Sequence, residues 1–273
     1  MRVGFIGAGN MAGAIVRGIT AAGVVAGDDV LVVDARPEAS AALADATGAR
    51  VPASAADLVA ASDVVVLAVK PQVIPGVLAE LGGALVARRP LLVSIAAGTS
   101  LAALAGMLPD GADLPVVRVM PNVNAMIGAG MAAVCGNAAT SADDVERVRA
   151  LFAAVGDAVV LAEADFSTYT AIAGSAPAFA FAFIDALARG AVKNGMPKAL
   201  ATRIAAQTLL GSARMVLERA EDGLTPADLV DMVSSPGGTT VAGTVAMDEA
   251  GFGPAVVRGV QATIDRDREL GAR

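Results

Sequence analysis

Among its 273 residues the chain has no histidine and no tryptophan, one tyrosine and one cysteine. Each shortage excludes a chemistry. Without histidine there is no Ser-His-Asp triad and no histidine metal site, and no metal is expected. A lone cysteine, Cys135, cannot form an internal disulfide, a usage that fits a reducing cytoplasm. Its apolar Val134-Cys135-Gly136 setting reads as a packed core thiol rather than a nucleophile. Charge is sparse at 17%, and 20 basic against 27 acidic residues leave a net −7. With no basic stripe and no aromatic platform, nucleic-acid binding is disfavoured. A long uninterrupted apolar run is also missing. Hydrophobic residues reach 55%, but alanine supplies much of that. The most apolar stretch, residues 171–188, is broken by Pro177 and Asp185 and contains Gly174 and Ser175. A spanning helix needs about 20 predominantly apolar residues, so this stretch is expected to be a buried helix and no membrane partner is expected. Met1-Arg2-Val3 leads directly into a strand-like run, so no secretory leader is expected.

What is present divides the chain in two. Compact β-branched or leucine runs stand at residues 2–6, 30–33, 64–69, 91–95, 116–119 and 159–161, with helix-patterned segments such as 10–22 between several of them. Runs that are apolar at nearly every position suit strands buried on both faces. Alternation with helices suits a doubly wound, mostly parallel α/β sheet. After residue 161 no strand signal remains. Helices are expected over 166–194, interrupted near 174–177, and over 198–220, 226–233, 240–249 and 254–270. Gly195 and Pro197 punctuate the first junction. The division falls at 1–162 and 163–273. The later helices are apolar on more than one face, so a second subunit is expected to cover part of them.

Gly7-Ala8-Gly9-Asn10-Met11-Ala12 follows the first strand, ending at Ile6, and opens a helix. This is the GxGxxA form of the dinucleotide fingerprint. Gly7 permits the tight turn, Gly9 lets a pyrophosphate approach the backbone, and Ala12 with Gly13 allows close helix–sheet packing. The end of the second strand reads Val33-Asp34-Ala35-Arg36. Asp34 would accept hydrogen bonds from a free ribose 2′-hydroxyl, favouring NADH, whereas Arg36 would pair with a 2′-phosphate, favouring NADPH. An outward Asp34 with an inward Arg36 would accept NADPH, and the sequence leaves both cofactors open. In doubly wound sheets the ligand lies beyond the carboxyl ends of the strands. The loops Ala68-Val69-Lys70-Pro71 and Ala96-Ala97-Gly98-Thr99 therefore belong to the expected cofactor site.

A second glycine loop, Ser234-Ser235-Pro236-Gly237-Gly238-Thr239-Thr240, lies near the C-terminal end. Two glycines beside a proline expose backbone N–H groups, and the threonines can start a helix. Such a nest suits a small carboxylate. An ordinary helix-start turn is the plainer reading of the heptapeptide by itself.

Taken in order along the chain, these blocks resemble the pyrroline-5-carboxylate reductase family over essentially the whole length. The resemblance rests on the early GxGxxA loop, Ala68-Val69-Lys70-Pro71, Arg118-Val119-Met120-Pro121-Asn122 and Ala206-Gln207-Thr208-Leu209-Leu210-Gly211. Most specific is Asp231-Met232-Val233 running into the 234–240 loop. It implies a Rossmann domain followed by an all-α dimerisation domain, with dimers assembling further and the active site shared with a partner's helices. It implies NADPH, or NADH, bound by Ile6, Gly7, Ala8, Gly9, Asn10, Met11, Asp34, Arg36, Ala68, Val69, Lys70, Pro71, Ala97 and Gly98. The implied substrate is a cyclic imine carboxylate, reduced to L-proline. Ser235, Gly237, Gly238, Thr239 and Asn122 would bind it, and Thr240, the catalytic residue, would set its hydroxyl near the ring nitrogen. Hydride transfer to an imine requires no histidine.

Three segments depart from the family pattern. Ala173-Gly174-Ser175-Ala176-Pro177-Ala178-Phe179 replaces the usual Ser-Gly-Ser-Gly-Pro-Ala-Tyr, Val123-Asn124 replaces Thr-Pro, and Thr225-Pro226 replaces a frequent His-Pro. The first two bear on the choice of imine, so a related cyclic imine is an alternative substrate. A β-hydroxyacid dehydrogenase would need a buried lysine, and Lys193 and Lys198 beside Gly195 do not fit one. A non-catalytic cofactor sensor, the alternative from another class, would have no use for a carboxylate nest.

Overall fold

The valine-rich runs become strands of one sheet in the computed structural model, which describes residues 1–109 and 112–271. The chain runs β1 (Val3–Ile6), α1 (Asn10–Ala21), β2 (Val30–Val33), α2 (Pro37–Thr47), α3 (Ala55–Ala61), β3 (Val64–Leu67), α4 (Ile74–Arg88), β4 (Leu91–Ser94) and α5 (Leu101–Gly106). It continues through β5 (Val116–Pro121), β6 (Gly130–Gly136), α6 (Ala142–Ala153), β7 (Gly156–Val160) and α7 (Phe166–Tyr169). A π-helical turn, Thr170–Ser175, leads into α8 (Ala176–Lys193), then α9 (Lys198–Ala220), α10 (Pro226–Met232), α11 (Thr239–Glu249) and α12 (Phe252–Gly271).

The described residues form a seven-stranded sheet in the order β2-β1-β3-β4-β5-β6-β7. All neighbours are parallel except β5 and β6, which pair antiparallel. Only a short 3₁₀ turn, Val123–Ile127, separates those two, and a connection that short cannot make a parallel crossover. β6 went unread in the sequence because Gly-Met-Ala-Ala-Val-Cys-Gly lacks a β-branched run.

Strand residues alternate between two cores, which is why the runs are apolar at every position. Val64 and Val66 pack with Ile15 and Ile19 of α1 and with Val148 and Phe152 of α6. Val65 and Leu67 pack with Leu58 of α3, Leu78 and Leu85 of α4 and Leu104 of α5. Each such side chain contributes about 1.5–3 kcal/mol by leaving water. Ala12 is buried in the first core as expected, but the close approach of α1 does not depend on Gly13. A Cβ there would meet only the end of Arg17, whereas one on Gly18 would stand 2.1 Å from Val155 Cγ1.

Two compact units result: Met1–Ser175 together with the C-terminal segment from Thr263, and Ala176–Ala262. The sequence division after residue 162 therefore differs from the structural one. Phe166, Tyr169 and Ala173 pack on Ala133 and Cys135 of β6, which keeps this stretch with the sheet. Cys135 is buried, as its apolar setting suggested.

In the second unit, small residues let α8 and α9 approach closely, with Ala188, Ala201 and Ala205 buried. The rings of Phe183 of α8 and Phe252 of α12 meet at a tilt, 5.7 Å between centroids. Thr225 and Asp228 form a reciprocal capping box at the start of α10, so the Thr225-Pro226 departure has a local helix-capping role. The expected burial of residues 171–188 is not met within one chain, because only Pro177 and Ala188 of α8 are buried. By length and composition the helical stretch Glu163–Lys193 would suffice to cross a bilayer. Its Asp185, however, pairs with Lys198 across the α8–α9 junction.

Candidate functional site

β1, β3 and β4 end at one edge of the first unit, where a cleft of about 1180 Å³ opens. Ile6, Gly7, Gly9, Asn10, Met11, Asp34, Arg36, Ala68, Val69, Lys70, Pro71 and Ala97 all line it. Of the residues expected at the cofactor, Ala8 and Gly98 stand beside the lining rather than in it. The chain turns at Gly7 with φ 109°, a left-handed conformation that disfavours side chains. Its N–H donates to the Val33 carbonyl at 2.7 Å, and an added Cβ would lie 2.5 Å from the Ala68 oxygen. Gly9 is the N-cap of α1, has ordinary extended backbone and caps nothing through a side chain. A Cβ on Gly9 would meet no atom within 4 Å. The first-turn N–H groups of α1 thus border open space, the arrangement a pyrophosphate needs. These residues fit a dinucleotide.

Asp34 and Arg36 both line the cleft. The Asp34 side chain is largely buried, 14% exposed, and that of Arg36 stands in solvent at 69%. Two backbone donors hold Asp34 in place: Ala8 N–H reaches Asp34 Oδ2 at 2.7 Å and Arg36 N–H reaches Oδ1 at 3.0 Å. Burial by itself would raise the Asp34 carboxyl, but these hydrogen bonds and the Arg36 charge outweigh it and hold it below the usual range. Asp34 therefore locks the glycine loop to β2. The Arg36 guanidinium, 3.5 Å from Asp34, lines the cleft and is open to an anion. Sequence reasoning missed Ser40 of α2, which lines the same cleft with a buried hydroxyl that has no partner among the described residues. Serine within an alanine-rich helix gave no signal.

Met120 and Pro121 of β5, with Val123 and Met126 beyond it, close one wall. Asn122, expected to bind substrate, does not face this cleft. It is buried, donates from Nδ2 to the Ala173 carbonyl at 3.0 Å, and accepts from Met131 N–H at 3.1 Å. Arg118 in the same motif is also turned inward. It pairs with Glu163 at 3.0 Å and lies over the Phe166 ring, and Glu163 accepts the Leu101 N–H at 2.7 Å. That cluster fixes the start of α5, just past the Ala97-Gly98 loop, to β5.

In the second unit the glycine loop runs directly into α11. Gly237 is left-handed at φ 70°, Gly238 is the N-cap of α11, and no side chain caps that helix among the described residues. Ser235, Gly237, Thr239 and Thr240 are exposed in the single chain, and Gly238 N–H donates to the Ser235 carbonyl. The first-turn N–H groups of an 11-residue helix therefore face outward beside two serines and two threonines. Lys193 is exposed and Lys198 is paired with Asp185, so neither is a buried acid/base lysine.

A doubly wound unit with an open pyrophosphate cradle, joined to a helical unit with an uncapped glycine nest, defines a nicotinamide-dependent oxidoreductase. Residues 2–98 match the family model described as NADP oxidoreductase, coenzyme F420-dependent, and residues 163–270 match pyrroline-5-carboxylate reductase dimerisation. The chain is 40% identical to pyrroline-5-carboxylate reductase of Escherichia coli (strain K12) over 98% of both chains. The solved reductase of Coxiella burnetii superposes with a TM-score of 0.92 at 30% identity, covering 98% of each chain. The pyrroline carboxylate reductase of Plasmodium falciparum, solved with NADP bound, gives 0.84 at 27% identity, covering 99% of this chain and 98% of that one. The chain belongs to the pyrroline-5-carboxylate reductase family, whose members are NAD(P)-dependent oxidoreductases.

Proposed function

We propose that this chain reduces 1-pyrroline-5-carboxylate to L-proline with NADPH. The observation that carries the reading is the start of α11, where backbone donors stand outward with no side-chain cap to compete for them. An anion at a helix N-terminus is favoured by those N–H groups and by the helix dipole. Ser235, Gly237, Gly238 and Thr239 hold the substrate carboxylate. Thr240 presents its hydroxyl to the ring nitrogen. The bound dinucleotide supplies hydride to the imine carbon. The nitrogen takes its proton from water, so the absence of histidine is no obstacle. Orientation of two bound partners supplies most of the acceleration, about 7–11 kcal/mol when geometry is good, and the Thr240 hydrogen bond adds on the order of 1 kcal/mol.

The test is NADPH oxidation followed by absorbance on adding pyrroline-5-carboxylate, with NADH in parallel. Thr240→Ala is expected to lower kcat/KM about fivefold, as about 1 kcal/mol implies, with NADPH affinity unchanged. An unaltered kcat/KM removes Thr240 from its role. Rapid turnover of a six-membered cyclic imine but not of the five-membered one would move the assignment to a related substrate. The departures at Ala173-Gly174-Ser175 and Val123-Asn124 single out that comparison.

The same reading includes a homodimer in the cytoplasm. Phe181, Leu217, Met232 and Val257 of the second unit are more than half exposed in the single chain. Apolar side chains left in water on this scale mark an interaction face. The dimerisation model covers all four positions. Sedimentation should show a dimer or a multiple of it, and a monomer at micromolar concentration would contradict the assembly.

A further inference from the structure

Two of the three segments in which this chain departs from its family, around Val123-Asn124 and around Ala173, are joined by one side chain. Asn122 donates to the Ala173 carbonyl at 3.0 Å and accepts from Met131 N–H at 3.1 Å. The need for the first bond is written in the sequence. In a regular helix the Ala173 carbonyl would accept the N–H of residue 177, and residue 177 is proline. Proline also crowds the carbonyl four residues before it. The chain answers both problems. It widens into a π-helical turn over Thr170–Ser175, and Asn122 supplies the missing donor. Such turns inside helices recur at functional sites.

The neighbours of Asn122 explain what the turn does. Met120 and Pro121 before it and Val123 after it line the cofactor cleft, while Asn122 itself points the other way. Gly174 of the π turn packs on that wall, since a Cβ there would sit 3.2 Å from Met120 Cε. One amide therefore fixes the end of β5, the start of β6 and the π turn together. We infer that Asn122 is a positioning residue for the reduction. Through the Ala173 carbonyl it clamps the π turn against the Met120 wall of the cleft, without touching the substrate. This rests on the reductase reading above.

Three Asn122 variants test it, with Pro177→Ala alone as the reference for the third: Asn122→Asp, which is nearly isosteric but cannot donate to a carbonyl when ionised, Asn122→Ala, and Asn122→Ala combined with Pro177→Ala. Both single Asn122 variants should lose on the order of 10- to 100-fold in kcat, the scale of a misplaced wall, while NADPH Kd stays within about twofold. Pro177→Ala returns an N–H to the Ala173 carbonyl. The drop in Tm caused by Asn122→Ala should therefore be smaller in the Pro177→Ala background, while kcat is not restored. Unchanged kcat in a folded single Asn122 variant overturns the inference. So does a raised NADPH Kd with kcat retained, or an equal Tm drop in both backgrounds. The Tm coupling and NADPH Kd are measured without turnover. A wild-type protein that binds NADPH but leaves pyrroline-5-carboxylate unreduced would refute the functional reading separately, with the coupling still readable.

Discussion

Gly7 and Gly9 stand two residues apart in one loop, yet the structure assigns them opposite consequences when a methyl group is added. At Gly7 the backbone lies at φ 109° and the new carbon would be 2.5 Å from the Ala68 oxygen. Positive φ costs an L-residue about 1–2 kcal/mol, and forcing the loop off β3 adds about 1–3 kcal/mol. Gly7→Ala should therefore destabilise by about 2–5 kcal/mol, a Tm drop on the order of 10 °C for a chain of this size. At Gly9 the backbone is unstrained and the space is empty to 4 Å. Alanine is a poorer N-cap than glycine by about 0.5–1 kcal/mol, and the lost freedom of the unfolded chain returns about 0.4–1 kcal/mol. The net change in stability is near zero. The methyl does, however, occupy the approach of a pyrophosphate to the α1 N-terminus. Losing one charged hydrogen bond costs about 1.5–3 kcal/mol, which is about 10- to 150-fold in Kd. Thermal melts and titrations of NADPH fluorescence measure both, and the chain has no tryptophan to contribute emission. If Gly9→Ala binds NADPH as the wild type does, the cradle is misassigned. If it melts as early as Gly7→Ala, the space at Gly9 is not open.

Asp34 should make the glycine loop acid-sensitive. Its folded carboxyl lies below the unfolded value, so its stabilisation is complete above about pH 4 and is lost as pH falls through the folded value. The Tm difference between wild type and Asp34→Asn should therefore shrink as melts are taken from neutral pH down to about pH 3; a constant difference would mean that the carboxylate charge contributes nothing. Cys135 should resist alkylation at neutral pH in the native protein. Burial raises its thiol, and the Glu163 charge adds to that against the opposing Arg118. Labelling of the folded enzyme by a maleimide as fast as of the urea-unfolded chain would contradict this.

Much of this architecture was legible because the signals were local. Strand β2 and helix α9 were bounded to the residue by the β-branched run at 30–33 and by Pro197 before Lys198. Both glycine loops declared themselves by composition and order. What stayed hidden depends on partners far along the chain. β6 is alanine- and glycine-rich, and becomes a strand only because β5 and β7 flank it. Asp34 was read as a candidate ribose ligand, and the fold adds a structural role, since Ala8, 26 residues earlier, donates to one of its oxygens. The exposed faces of α8 to α12 carry the opposite message: their apolar pattern was read correctly, but one chain alone does not bury them.

Asn122 shows what a motif-based reading leaves out. It stands in a signature block beside two cleft-lining residues, so a substrate contact was the natural expectation. Three facts give it a structural role instead: Pro177 lacks an N–H, the Ala173 carbonyl four residues earlier therefore lacks its regular partner, and the buried amide that replaces it lies 51 residues away. The proline was visible in the sequence and so was the asparagine. Only the fold makes one the answer to the other. A signature residue can thus be fixed by the cost of leaving a buried carbonyl unpaired, about 1–3 kcal/mol, as firmly as by contact with a ligand. Asn122 belongs to the active site through what it holds in place.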